Sequence, residues 1–268
     1  MNYRHAFHAG NFADVVKHLA LVALLRHLRR KETAFAAIDT HAGRGSYDLC
    51  GAEAQRTGEA EEGILRLRQL SDAGETTLST YLRLASGRAY PGSPLIAARL
   101  LRPQDRLVAV EKHPEEAAAL SEVLRPFRKA HVETADGYSR LPALLPPPER
   151  RGLVLIDPPY EAGHELEDAA RAFASAFRRF ATGIYMLWFP VKSAAEADGF
   201  CGEVLAVGPS RALRLDVVRA AASDDRLSAA GLLVVNPPWR FEDEMRDALA
   251  PVLPLLRAQL RIDMFAGD

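Results

Sequence analysis

The sequence predicts an α/β fold, a mostly parallel sheet with helices on both faces, and three observations predict it. Short apolar runs rich in Val, Ile and Leu alternate with helix-length stretches. Successive runs lead into acidic residues, in order Asp39, Glu111, Asp136 and Asp157. One run, LVLIDPPY from Leu153 to Tyr160, closes on two prolines and an aromatic ring. Pro158 and Pro159 have no backbone N–H, so they can neither extend a ladder nor continue a helix, and they stiffen a loop at the strand's carboxyl end. That loop offers a carboxylate, carbonyls without competing local donors and a flat ring. The set suits a planar base that carries an exocyclic amino group.

Asn11 is placed to cap a helix from Phe12 to Arg30, whose apolar positions Val15, Val16, Leu19, Val22, Leu25 and Leu28 keep a helical period. Arg26, Arg29, Arg30 and Lys31 at its end either complement the helix dipole in solvent or face a nucleic acid. A strand over Ala34 to Ile38 runs into DTHAGRG, a strand–acid–glycine turn of the nucleotide-binding kind that lacks both GxGxxG and a P-loop lysine. Residues 46–89 then delay the crossover helix. Leu65, Leu67 and Leu70, followed by Leu78, Leu82 and Leu84, predict two short amphipathic helices. The expected organisation is a catalytic domain of residues 1–45 and 90–268 with an inserted helical subdomain, 46–89, beside the site. The deferred helix begins in YPGSPLIAARLLR, with Ser93 as N-cap and Pro94 in the first helical position.

Next come a strand from Leu107 to Val110 ending at Glu111, a helix from Pro114 to Ala130, and a strand from Val132 to Ala135 ending at Asp136-Gly137. The prolines of LPALLPPPERRG make a loop before the key strand, Leu153 to Ile156. A helix from Leu166 to Phe180, a buried strand in GIYMLWFP, strands near Arg211 to Val217 and Gly231 to Val235, and a last helix from Phe241 to about Leu260 complete the chain.

With 268 residues, 48% hydrophobic and 26% charged, the chain can bury a full core. Its formal net charge of −1 gives no global pull toward a polyanion, so contact with nucleic acid needs a local basic surface. Two cysteines, Cys50 and Cys201, exclude a disulfide scaffold or four-cysteine zinc site and fit a reducing compartment. The start, MNYRHAFHAG, has no apolar signal core, and no run is long and apolar enough to span a bilayer; a cytoplasmic protein is expected.

In an open parallel sheet, ligands bind beyond the strands' carboxyl ends. Four acids there disfavour a triphosphate without metal and favour a ligand with hydroxyls, an amino group and positive charge. S-adenosylmethionine has all three. The strand order and LVLIDPPY resemble the seven-stranded, Rossmann-like methyltransferases that modify amino groups. Taken together, HAGNFADVVKH, DTHAGRG, YPGSPLIA, EKHP, ADGY, LVLIDPPY, FATGIYMLWFP and VVNPPW are similar to the bacterial 23S ribosomal RNA adenine-N6 methyltransferases. The similarity spans the chain and is weakest in the insert and the last residues.

The resemblance implies methylation of one adenine in 23S ribosomal RNA by S-adenosylmethionine, leaving S-adenosylhomocysteine, without a metal. It implies Asp157 as catalytic acid/base; the chemistry of the motif itself adds the Pro158 carbonyl as a second acceptor for the N6 hydrogens and Tyr160 as the ring that stacks on the base. The resemblance surrounds the methyl donor with His18, His41, Ser93, Glu111, Asp136 and Gly137, to which the strand–acid–glycine turn adds Asp39 and Gly43 as cofactor-side residues. Tyr3 matches a position that engages the RNA, and His5 and Lys17 are assigned to the same substrate side. The RNA is expected protein-free or early in assembly, and the enzyme monomeric.

The residues leave rivals open. Asn236-Pro237-Pro238-Trp239 repeats the key motif with an amide, but it follows a strand expected to be antiparallel, so it reads as a rigid turn that packs Trp239. His18 alone reads as a packed helix residue, Ser93 as a cap and Lys17 as a solvated cation or phosphate partner. His5 and His8 have a spacing a metal could use, without an evident third ligand. Arg150-Arg151 and Arg178-Arg179 are candidate contacts to a nucleic-acid backbone. A DNA adenine methyltransferase shares the motif, although no large target-recognition domain is evident. A nicotinamide-binding module would need a better glycine fingerprint.

Overall fold

A computed structural model describes residues 4–71, 74–161, 163–219 and 227–266; Tyr3 lies outside the described residues. Helix α1 (Phe12–Arg29) leads to β1 (Ala36–Asp39). Then come β2 (Ser46–Asp48), α2 (Ala52–Thr57), α3 (Ile64–Leu67), α4 (Thr77–Ala85), β3 (Ala89–Pro91) and α5 (Ser93–Leu100). The middle of the chain gives β4 (Arg106–Glu111), α6 (Pro114–Leu124), β5 (Ala130–Thr134), α7 (Gly137–Arg140), β6 (Gly152–Ile156), α8 (Glu165–Arg179) and β7 (Ile184–Pro190). The last part gives α9 (Ala194–Leu205), β8 (Arg211–Arg219), β9 (Ala229–Val235), α10 (Phe241–Leu249), α11 (Leu253–Leu256) and β10 (Ala258–Ala266).

The main sheet has the order β10-β8-β9-β7-β6-β1-β4-β5. Strands β7, β6, β1, β4 and β5 are mutually parallel, whereas β9 runs antiparallel to both β7 and β8, and β10 antiparallel to β8. The chain leaves β1 toward β4 and β5, then returns to β6 on the other side of β1. The strand order therefore reverses at β1, where such sheets open a crevice at their carboxyl ends. Alternation along the strands divides the core: Leu153 and Leu155 pack with α1 and α5 on one face, Val154 and Ile156 with α8 and α9 on the other.

Seven strands lie where the sequence predicts them, but the sheet has eight. The predicted last helix stops at Leu249. Pro251 and Pro254 prevent its continuation, Arg257 turns the chain with φ of 52°, and AQLRIDMFA pairs with β8 in the register Leu260↔Val217. The helix predicted to reach Ala130 likewise stops at Leu124, two residues before Pro126. Asn11 caps α1, its side chain accepting the Asp14 N–H at 2.9 Å. Ser93 does not cap α5; Gly92 does, and Ser93 sits in the first turn, on the cavity wall. Among the described residues, 46–89 hold three short α-helices and a 3-10 turn over Glu59–Glu62, and β2 pairs antiparallel with β3 from Ser46↔Pro91 to Asp48↔Ala89. Their Ile64, Leu67, Leu78 and Tyr81 join the core that includes α1.

Candidate active site

A cavity of about 780 Å³ opens at the carboxyl ends of the parallel strands, within the size range of small-molecule sites. Its walls include Asp157, Pro158 and Tyr160 just past β6, Glu111 at the end of β4 and Asp136 after β5. His41 and Gly43 after β1, Ser93 on α5, and Lys17 and His18 on α1 also line it, as does His5. Asp39 and Gly137 are not on its surface. Asp39 lies behind it, 3% exposed, while Gly137 packs so close to the Thr40 carbonyl that a Cβ would sit 2.0 Å from that oxygen.

Helix α1 carries Asp14, Lys17 and His18 at i, i+3 and i+4, so they share a face. Lys17 is buried and its Nζ lies 2.6 Å from Asp157 Oδ2 and 2.9 Å from Asp14 Oδ1. Its ammonium also sits 5.7 Å from the centre of the Trp188 ring. Burial pulls the Lys17 pKa down, but the two carboxylates overcome it and hold it above the ordinary lysine value. Asp14 is pushed up by burial and held well below the ordinary value by His5 and Lys17. Asp14 Oδ2 accepts from the Gly10 N–H at 2.9 Å and lies 3.0 Å from His5 Nε2. Lys17 is thus neither a solvated cation nor placed for a phosphate; it is the counter-ion of Asp157.

Glu111 accepts the Gly43 N–H on Oε2 and the His113 N–H on Oε1, both at 2.8 Å. Each oxygen keeps acceptor capacity for a hydroxyl. Gly43 has φ of 60°, and a Cβ there would lie 2.5 Å from the Tyr47 hydroxyl, so glycine is required. Asp136 caps α7 by accepting the Ser139 N–H and pairs with Lys112 at 3.1 Å; these bonds outweigh burial and lower its pKa. Burial pushes His41 down to about 4 and His18 down to about 3, so both are neutral at physiological pH. Burial pushes the Asp39 carboxyl up to about 7.

Tyr160 adopts φ of 54°, costly for a bulky residue, and its hydroxyl donates to the Trp188 carbonyl at 2.5 Å. Its ring centre lies 5.6 Å from that of Trp188. The rival Asn236 is spent elsewhere: it follows antiparallel β9, with φ of 55°, and its Nδ2 donates to the Ala181 and Gly183 carbonyls at 2.8 and 2.7 Å. Trp239 does not pack as expected; it is 75% exposed.

Comparisons with known proteins give one answer. A family model described as ribosomal RNA large subunit methyltransferase D, RlmJ, matches residues 32–261. The Escherichia coli (strain K12) ribosomal RNA large subunit methyltransferase J is 42% identical over 268 residues, covering 97% of this chain and 94% of that protein. The chain belongs to this family. The Haemophilus influenzae methyltransferase of the same name is 39% identical over 258 residues, covering 93% and 92%. The crystal structure of a Legionella pneumophila protein superposes with a TM-score of 0.86 at 33% identity, covering 97% of this chain and 99% of that one.

Sequence reasoning about this methyltransferase family member missed Asp14, Trp188 and Tyr138, all on the cavity wall. The Asp14–Lys17 spacing was available as a signal; the aromatic residues were read only as strand and turn. Among the described residues the Tyr138 hydroxyl and Trp188 Nε1 are buried without a partner. His5 and His8 turn to different carboxylates, Asp14 and Glu59, and no group of three or more His, Cys, Asp or Glu among the described residues could hold a metal. Arg151 donates to the Leu28 and Thr33 carbonyls and Arg179 to that of Leu145. Arg151 also precedes β6, at the rim away from the cavity, which removes it as a backbone contact beside the site.

Proposed function

We propose that the cavity at the carboxyl ends is where this chain, an S-adenosylmethionine-dependent methyltransferase, methylates adenine N6 in 23S ribosomal RNA. One observation carries the assignment: Asp157, Pro158 and Tyr160 share a single cavity with Glu111, Asp136, His18, His41 and Ser93. The wall suits the methyl donor. Carboxylates oppose positive charge, Glu111 is held with acceptor capacity toward hydroxyls, and Tyr138 and Trp188 keep unpartnered polar atoms. The donor supplies an electrophilic methyl group; Glu111, Asp136, His18, His41 and Ser93 would hold it, with Asp39 behind Ser93.

The chain's own part is orientation. Adenine N6 is a weak nucleophile because its lone pair is spread into the ring. Asp157 and the Pro158 carbonyl accept the N6 hydrogens, which favours a lone pair directed out of the ring plane. Asp157 Oδ2 already meets Lys17, which balances its charge and fixes its rotamer. Tyr160, held by Trp188, offers its ring to the base, a contact worth about 1–3 kcal/mol in single-strand binders. The N6 proton leaves to Asp157 or solvent after transfer. An adenine can reach this recess only when unpaired or flipped from its stack. In this reading His5, on the cavity wall, belongs to the substrate side, and Tyr3 is assigned to the RNA by the resemblance alone.

Residues 46–89 form an insertion whose Glu59 and Tyr47 wall the site. The enzyme works as a cytoplasmic monomer on protein-free or early-assembly RNA; no helix among the described residues is long and apolar enough to cross a membrane. Purified protein with labelled donor and a 23S transcript tests the assignment. Label in N6-methyladenine is expected; label elsewhere, or preference for DNA in direct competition, would overturn it.

A further inference from the structure

His18 lines the cavity, is 1% exposed, and places its Nδ1 2.8 Å from the Tyr90 hydroxyl. Tyr90 lies 3.0 Å from the Tyr81 hydroxyl. Both tyrosines are fully buried, and among the described residues Tyr81 has no other hydroxyl partner. This short chain has two possible directions. If Tyr81 donates to Tyr90 and Tyr90 donates to His18 Nδ1, every hydrogen in the chain has an acceptor. If His18 Nδ1–H donates to Tyr90 and Tyr90 to Tyr81, the Tyr81 hydrogen is buried with nothing to accept it. Leaving a buried donor unpaired is the costly arrangement. The first direction therefore wins, and it places the imidazole hydrogen on Nε2.

We propose that Tyr90 is a positioning residue for the methyl-donor site, with the Tyr81 hydroxyl donating to it from behind, and that it locks His18 in the tautomer with its hydrogen on Nε2. The cavity wall then presents a donor at Nε2, which has no protein partner among the described residues. Burial keeps the ring neutral at physiological pH, so the donor carries no charge that would repel a sulfonium. It addresses an acceptor atom of the bound molecule. The relay also assigns a task to the segment between β1 and α5. Tyr81 on α4 and Tyr90 on β3 reach the site without lining its cavity, through a histidine on α1. The identity of the molecule at Nε2 rests on the reading of the cavity as the methyl-donor site, but the direction of the relay does not.

The two are separated by long-range proton–nitrogen spectra of histidine-labelled, ligand-free protein, followed by titration with S-adenosylhomocysteine. In the wild type His18 is expected as the Nε2–H tautomer. Tyr90→Phe removes the acceptor-facing hydroxyl and should leave a mixture of tautomers, with affinity for S-adenosylhomocysteine falling about tenfold. Tyr81→Phe deletes an equally buried hydroxyl, yet Tyr90 still donates to Nδ1, so the tautomer should persist. A wild-type His18 protonated on Nδ1, or an unchanged His18 pattern in Tyr90→Phe, overturns the lock. A locked His18 whose resonances do not respond to S-adenosylhomocysteine leaves the lock standing and counts against the pocket reading.

Discussion

Asp39→Asn should flatten the dependence of stability on pH. Asp39 is 3% exposed, and burial pushes its carboxyl up to about 7 from an ordinary 3.8, with the Ser93 hydrogen bond, the His41 N–H and Lys17 drawing it back and Asp157 adding to the rise. The folded state thus binds this proton more tightly than the unfolded chain does. Stability from this group is fully present below the unfolded value near 4 and is lost as pH rises through about 7. Roughly three pH units at about 1.4 kcal/mol each set the loss at up to about 4 kcal/mol. Asparagine keeps an oxygen for the His41 N–H and does not titrate, so its burial adds only a constant offset. Urea unfolding of both proteins from pH 4.5 to 8 gives the difference directly. The wild type should lose stability relative to the variant across that range; two parallel curves would show that Asp39 ionises without hindrance and refute the reasoning.

Other substitutions test other parts of the site. Asp157→Ala should lower turnover by about 10²–10⁴-fold while S-adenosylhomocysteine still binds calorimetrically; full activity would move the chemistry elsewhere. Lys17→Met leaves Asp14 and Asp157 facing each other without their cation, and breaking such a buried pair costs about 3–5 kcal/mol. Thermal melting measures it, and an unchanged midpoint would contradict the ion-pair assignment. Gly43→Ala meets the Tyr47 hydroxyl and a φ of 60°, so it should destabilise by about 1–3 kcal/mol and weaken S-adenosylhomocysteine binding in the same titration. Trp239→Ala should change stability by less than about 0.5 kcal/mol, because the ring is 75% exposed; a larger loss in urea unfolding would mean that it packs.

The parallel half of the sheet is legible because β1, β4, β6 and β7 are apolar runs, whereas β5, AHVET, is marked mainly by the Asp136-Gly137 that follows it. The carboxyl-end acids followed from that reading, since strand direction decides which residues meet at one rim. The eighth strand was hidden because Leu253, Leu255 and Leu260 extend the apolar pattern of α10, and the two prolines that stop the helix were given too little weight. The pairing of Lys17 is hidden for a different reason. A lysine on a helix gives no sign of burial until the helix is packed, and Asp157, its partner, is 140 residues away in sequence. Trp188 reads as one more apolar strand residue because only the alternation of β7 decides which of its side chains face the cavity.

The active rim is assembled from two chemically opposite pieces. The strand ends bring acids, and alone they would repel one another in a recess with little water. Helix α1 brings the compensating cation, buried at a point where an unpaired lysine would be untenable. Such an arrangement is favourable only when the buried charges are paired and hydrogen-bonded: Lys17 meets two carboxylates and the Trp188 face, and Asp14 also takes the Gly10 N–H and His5. The same face also brings His18 to the cavity wall. Docking of α1 therefore brings the counter-ion of Asp157 and the His18 wall of the cavity into place together.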